Sequence, residues 1–160
     1  MAAFATGPAG GGKVIGLLQR VSRAQVTAGE RTVGAIGKGL MVLVGVQQAD
    51  HAGTADRLLE RLLTYRVFPD AEGRMNLDLV ATGGGLLLVP QFTLAADTTR
   101  GTRPGFSRAA APEAARALFE HLVREARSRH STVAAGEFGA HMQVELVNDG
   151  PVTFWLEVPA

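Results

Sequence analysis

Gln91 and Thr93 stand two positions apart in Pro90-Gln91-Phe92-Thr93-Leu94, directly after the apolar run Leu86–Val89. In an extended segment, residues two apart face the same side, so the amide and the hydroxyl point together while Phe92 points away. With free backbone N–H groups beside them, such donors can steady an oxyanion without any ionisable group. The plain alternative is a pair of polar residues on a solvated strand face. A second stretch offers chemistry through its backbone. Between Val147 and Val158 two apolar segments meet at Asn148-Asp149-Gly150-Pro151. Asn, Asp and Gly favour turns, and Pro151 removes a donor, fixes φ and permits a cis peptide. This reads as a hairpin, or as a rigid backbone edge holding the Gly150 carbonyl at a fixed angle toward a ligand or a neighbouring subunit.

Other chemistries find little support. There is no cysteine, which removes disulfides, thiolate zinc sites and cysteine nucleophiles together. His51, His121, His130 and His141 show no i, i+4 zinc-helix spacing and no His-Glu-x-x-His. No Ser lies in a Gly-x-Ser-x-Gly elbow, and Thr93 has no evident base to activate it. Gly83-Gly84-Gly85 lacks the Lys-Ser/Thr of a phosphate loop and precedes an apolar strand rather than a helix. From Thr99 to Arg129 there are seven Arg against three Glu. That stretch is either a solvated face or a patch suited to phosphates. No metal or other cofactor is expected.

The elements that must position these groups follow from apolar periodicity. Lys13–Val21 reads as a strand, and Val26–Ile36 as a strand pair turning at Gly29-Glu30. Leu40–Val46 is almost continuously apolar and so belongs in the middle of a sheet covered on both faces. Ala55, Leu58, Leu59, Leu62 and Leu63 make the stripe of a first helix, with Asp50 or Thr54 as its cap. Pro69–Gly73 is a loop. Leu86–Val89 is a strand that Pro90–Leu94 continues, with pairing interrupted or at an edge at Pro90, and Asp97–Arg108 is a polar loop. Pro112 opens a second helix with the stripe Ala115, Leu118, Phe119, Leu122, Val123 and Ala126. Met142–Val147 and Val152–Val158 close the chain as two strands. About seven strands and two substantial helices in this order predict an α+β fold of layered, barrel-like sheets with two main helices packed on one side.

At 160 residues, 46% apolar and 19% charged, the chain is globular and long enough for one cored domain, 13–160. Met1–Gly12, rich in Ala and Gly, reads as a flexible extension. No apolar run approaches the ~20 residues of a membrane span, nothing resembles a signal peptide, and a cytoplasmic location is expected. The net charge of +1 argues against a general nucleic-acid binder and against DNA, so any RNA contact must use a local patch.

Taken together, Gln91-Phe92-Thr93-Leu94-Ala95-Ala96-Asp97 and Asn148-Asp149-Gly150-Pro151-Val152-Thr153 resemble the two signature motifs of the D-aminoacyl-tRNA deacylases, the D-tyrosyl-tRNA(Tyr) deacylase family. Leu18-Gln19-Arg20-Val21, Asp70–Asn76, Arg103-Pro104 and Phe106-Ser107 match as well, so the resemblance runs from about Lys13 to Val158. It implies a homodimer that hydrolyses the ester between a D-amino acid and the terminal adenosine of tRNA, and that accepts glycyl-tRNA, including glycine mischarged on tRNA(Ala). It implies contact with the acceptor end alone, and no membrane partner. Gln91, Phe92 and Thr93 would be the catalytic set, with backbone N–H groups facing the carbonyl and the tRNA 2′-OH assisting. Gly150, Pro151, Arg20, Pro90, Asn148 and Met142 would bind substrate and select its chirality. The Gly-Pro peptide of that family is cis and reaches into the partner's site. There its carbonyl would hold the α-amino group and exclude an L side chain, and Arg20 would steady the motif of the other subunit.

Pro90 departs from the Ser that usually opens the first motif. It is similar to the related animal-type deacylases, which remove L-alanine from a threonine tRNA and whose Gly-Pro peptide is trans. Arg20, Phe92 and Val152-Thr153 side with the D-specific group. Deacylation with relaxed chirality, and RNA binding without catalysis, are the alternatives. The single Tyr and single Trp disfavour the latter, which needs stacking aromatics.

Overall fold

The computed structural model describes residues 13–159; the extension expected at Met1–Gly12 lies outside them. The first strand is longer than Lys13–Val21. Strand β1 runs over Lys13–Ala28, because Ala24, Val26 and Ala28 keep burying every second side chain beyond Val21. The chain turns at Gly29-Glu30 into β2 (Arg31–Ile36), antiparallel to the second half of β1. Strand β3 (Gly39–Gly45) pairs antiparallel with the first half, from Ile15 opposite Gly45 to Val21 opposite Gly39. These two strands therefore share one edge of β1 end to end.

The small strands β4 (Phe68–Pro69) and β5 (Met75–Leu77) form a separate ribbon around the expected loop. Strand β6 (Gly85–Pro90) lies parallel to β3, and β7 (Val133–Ala135) parallel to β6. Strand β7 then closes on β2, where a Cβ added at Gly34 would lie 2.7 Å from the Ala135 carbonyl oxygen. This closure makes the mixed sheet nearly a barrel.

The last strand corrects an expectation. No hairpin forms at Asn148–Pro151. Strand β8 runs over Gln143–Pro159 in one direction along the whole free edge of β1, from Thr27 opposite Gln143 to Lys13 opposite Pro159. The turn-forming residues are absorbed as a bulge, since reversing the chain there would forfeit half of that ladder.

Helices α1 (Ala52–Thr64), α2 (Leu79–Thr82) and α3 (Pro112–Arg129) complete the fold. The stripes of α1 and α3 are buried as their spacing predicts. The cap of α1 is neither Asp50 nor Thr54 alone. His51 accepts from the Gly53 N–H at 3.0 Å, and Thr54 accepts from the His51 N–H at 2.8 Å, closing a capping box. Short α2 was not legible in the sequence; it is a single turn capped by Asp78 and stopped at left-handed Gly83.

Two cores result. Leu40, Val42, Leu86 and Leu88 face α1 and α3, while Met41, Leu87 and Val89 face the barrel interior. Both faces of the central strands are thus covered, as the continuous apolar runs require. Each fully buried leucine contributes about 1.5–3 kcal/mol, and this double layer is the rigid frame that carries the loops. Among the described residues no helix is long and apolar enough to cross a membrane.

Candidate active site

The first cluster forms where β6 ends. Pro90 stands opposite Val44 of β3, and the Gln91 N–H donates to the Val44 carbonyl at 2.8 Å. The chain does not stay extended beyond this point, as the sequence predicts, but winds into a 3-10 turn, Phe92–Ala95. Space for the turn comes from Gly45, where an added Cβ would sit 2.9 Å from Leu94 Cβ and 3.3 Å from the Gln91 carbonyl oxygen.

Gln91 and Thr93 still meet, although by this turn rather than by a shared strand face. The Gln91 side-chain amide donates to the Thr93 hydroxyl. That bond occupies the hydroxyl as an acceptor and leaves its O–H free to donate. The N–H groups of Phe92 and Thr93 open the turn and have no acceptor among the described residues, as expected for the first N–H groups of a helical turn. Three donors therefore collect on an open surface with no ionisable group hydrogen-bonded to them. Such a set can stabilise negative charge on an oxygen; it cannot by itself generate a strong nucleophile.

Beside it, Phe92 is 59% exposed and its ring lies 5.2 Å from that of Phe106. Phe106 belongs to the loop pinned by Asp97, whose backbone exchanges hydrogen bonds with Gly105 at 2.7 and 3.0 Å. The Thr99 hydroxyl, with help from the Thr99 N–H and from Arg108, holds the Asp97 carboxyl below the usual carboxylate range. The aromatic pair and the bracing role of Asp97 are not legible in the sequence, where the motif ending at Asp97 and the Arg103-Pro104 and Phe106-Ser107 matches flag this loop. Met142 lies beside Gly136, which backs onto Pro90. Its sulfur accepts from the Glu137 N–H at 3.3 Å.

The second cluster is the bulge of β8. Gln19 faces Thr153 and Val21 faces Asn148, so Asp149–Val152 stand opposite Arg20 alone. Asn148 closes the bulge by accepting from the Val152 N–H at 2.7 Å and donating to the Thr153 hydroxyl at 2.9 Å. Gly150 has φ 145°, where a Cβ would come 2.6 Å from the Val152 side chain; only glycine fits there. The Gly150–Pro151 peptide is cis. Arg20 braces the bulge of its own chain, donating to the Asp149 carbonyl at 2.9 Å and to the Val67 carbonyl at 2.7 Å.

The two clusters do not meet within one chain. Gln91 hangs from Val44, which faces Gly16 of β1, whereas the bulge faces Arg20. At ~3.3 Å per residue this offset is roughly 13 Å along the strand, and three strand-to-strand steps of ~4.8 Å add about 14 Å across the sheet. Among the described residues no group of three His, Asp or Glu side chains could hold a metal ion.

Comparison with known proteins bears on this pair of clusters. The family model described as D-Tyr-tRNA(Tyr) deacylase matches residues 17–157, which include both. A D-aminoacyl-tRNA deacylase of Thioalkalivibrio sulfidiphilus is 64% identical over 146 residues, covering 91% of this chain and 98% of the relative. One of Azotobacter vinelandii is 64% identical over 141 residues, covering 88% and 97%. Among solved structures, the c-Myc DNA Unwinding Element Binding Protein superposes with TM-score 0.86 at 36% identity over 91% of this chain and 99% of that one. A probable eukaryotic D-amino acid tRNA deacylase has TM-score 0.80 at 16% identity, covering 91% and 100%, a likeness of fold alone. With the family model spanning nearly all the described residues and relatives this similar, the chain belongs to the D-Tyr-tRNA(Tyr) deacylase family and is an enzyme of the D-aminoacyl-tRNA deacylase type.

Proposed function

We propose that the chain, as a single deacylase domain in an isologous homodimer in the cytoplasm, hydrolyses the ester of D-aminoacyl-tRNA and of glycyl-tRNA, including glycine mischarged on tRNA(Ala). The observation that carries this reading is the set of unpaired donors on Phe92 and Thr93 with no base beside it. Water adds to the ester carbonyl, and the oxyanion that forms is held by the Phe92 and Thr93 N–H groups and the Thr93 hydroxyl. The bond from the acyl carbon to the ribose 3′-oxygen then breaks, the tRNA 2′-OH relaying one proton of the added water to the departing 3′-oxygen, and the amino acid leaves as the acid, which loses the other proton to solvent. One donor of this kind is worth roughly 10²–10³ in rate, and an activated ester needs little more than these donors and positioning.

Chiral choice is assigned to the Gly150 carbonyl of the partner. It accepts from the substrate α-ammonium and leaves no room for an L side chain, while glycine has none to exclude. The wide separation of the two clusters in one chain supports this arrangement, since a symmetric second copy can bring them together. Exposed Val144, Val147 and Trp155 on β8 supply apolar surface for such a contact.

Pro90 favours a second reading at the level of specificity. It offers neither the hydroxyl nor the N–H that Ser would bring, so the pocket could admit L-alanyl-tRNA(Thr). The test is hydrolysis of matched D-Tyr-, L-Tyr-, Gly- and L-Ala-tRNA. Cleavage of D-Tyr and Gly with both L esters spared supports the first reading. Substantial L-Ala cleavage replaces it with the second, and no cleavage of any ester overturns both.

A further inference from the structure

A hollow of about 930 Å³ lies between α3, β2 and β7, away from the Gly150 bulge. Its rim carries Arg31, Arg116, Arg124 and Arg127 against Glu120 and Glu137. Arg31 is paired with Glu137 at 3.2 Å and Arg116 with Glu120 at 4.0 Å, all four side chains being about half exposed or more. Pairs this exposed are held weakly and exchange readily for another anion. Arg116 is also set in place over the Phe138 ring at 5.0 Å. Arg124 and Arg127 are exposed, have no ion pair among the described residues, and sit one helical turn apart. In a chain whose net charge is only +1, this is a local concentration of guanidinium groups.

We propose that this groove holds the sugar-phosphate backbone of the tRNA acceptor stem, an inference that rests on the proposed function. Guanidinium forks match phosphate oxygens, and an open groove suits a duplex better than a small ligand. Position favours it too. Gly136 lines the groove and also backs onto Pro90, where an added Cβ would lie 3.3 Å from Pro90 Cδ. The groove thus adjoins the end of the strand that leads into Gln91 and Thr93, and an RNA with its 3′ end at those residues can lay its stem here.

The test titrates uncharged tRNA against the wild-type protein and the R124A/R127A variant over a range of salt. Arg61→Ala, on α1 beside a separate hollow, serves as the charge control. The double variant is expected to bind tRNA about tenfold more weakly, with a log–log salt slope shallower by about two, and Arg61→Ala to change neither. Its KM for D-aminoacyl-tRNA should rise while hydrolysis of a D-aminoacyl adenosine ester is unchanged. Unaltered tRNA affinity and slope overturn the proposal, as does an equal loss on the tRNA and adenosine esters. Wild-type protein that binds polyglutamate through these arginines but not tRNA overturns it in favour of an acidic protein partner. If the wild type hydrolyses neither ester, the enzymatic reading fails, and the tRNA titration still decides the groove.

Discussion

Arg20 donates to the carbonyl oxygens of both Asp149 and Val67, so one largely buried guanidinium ties β1, the bulge of β8 and the segment after α1 together. Its 3.8 Å approach to the exposed Asp149 carboxylate adds little; the two carbonyls matter more. Arg20→Ala should cost about 2–3 kcal/mol in urea denaturation, because Val67 is buried and its carbonyl would lose a charged donor. Arg20→Lys should recover less than half, an ammonium being unable to reach both carbonyls as a fork does. Full recovery by Lys would show that charge alone suffices.

Thr93→Ala removes one donor and leaves the backbone N–H groups in place. Deacylation should fall roughly 10²-fold, the low end for loss of one oxyanion donor, and should not vanish. Gln91→Ala should fall less, since that amide only orients the hydroxyl. A folded Thr93→Ala protein with no activity at all would make Thr93 the nucleophile.

Gly45→Ala places a methyl 2.9 Å from Leu94 Cβ. The expected result is a stability loss of about 1–3 kcal/mol from overpacking, with a much larger loss of activity as the 3-10 turn shifts its donors. Stability and activity falling in parallel would mean the turn is not specially placed by Gly45.

Separation of the clusters makes complementation a sharp test of the composite site. Gly150→Ala and a Gln91→Ala/Thr93→Ala double variant should each be strongly impaired. Mixed and allowed to exchange subunits, they should regain about a quarter of wild-type activity, because half the dimers are mixed and each mixed dimer holds one intact site. No gain on mixing, with exchange verified by mass, would place both clusters in service of the same chain.

The loop that carries Phe106 should respond to acid. Its Asp97 has a folded-state pKa below the ordinary aspartate value, chiefly through the Thr99 hydroxyl. Its contribution is therefore complete above the unfolded pKa and is lost as pH falls through the depressed folded value. Amide exchange across residues 97–108 should accelerate below about pH 4, and Asp97→Asn should remove that dependence. Protection that is flat down to pH 2 in the wild type would refute the role of Asp97.

Sequence legibility tracked the range of the interactions. The stripes of α1 and α3 and the two-faced burial of β3 follow from local periodicity and were readable residue by residue. The residue types at Asn148–Pro151 favour a reversal. A long ladder with β1 overrules that preference, and Asn148 spends its side chain on the bulge instead. Extended geometry was expected for Gln91 and Thr93, and nothing local foretells that Gly45, far back in the chain, opens room for a 3-10 turn. The two polar residues were rightly paired, with the wrong backbone beneath them.

The pairing of β1 with β8 also sets an order of events during synthesis. Arg20 and Asp149 are 129 positions apart, so a ribosome delivers the brace well before the segment it holds. Until then β1 has one edge unsatisfied, the kind of edge that recruits other chains. Contacts this distant in sequence also form slowly. The nascent protein is therefore exposed to aggregation until β8 emerges, and the Gly150 segment takes its shape only when β8 pairs with β1.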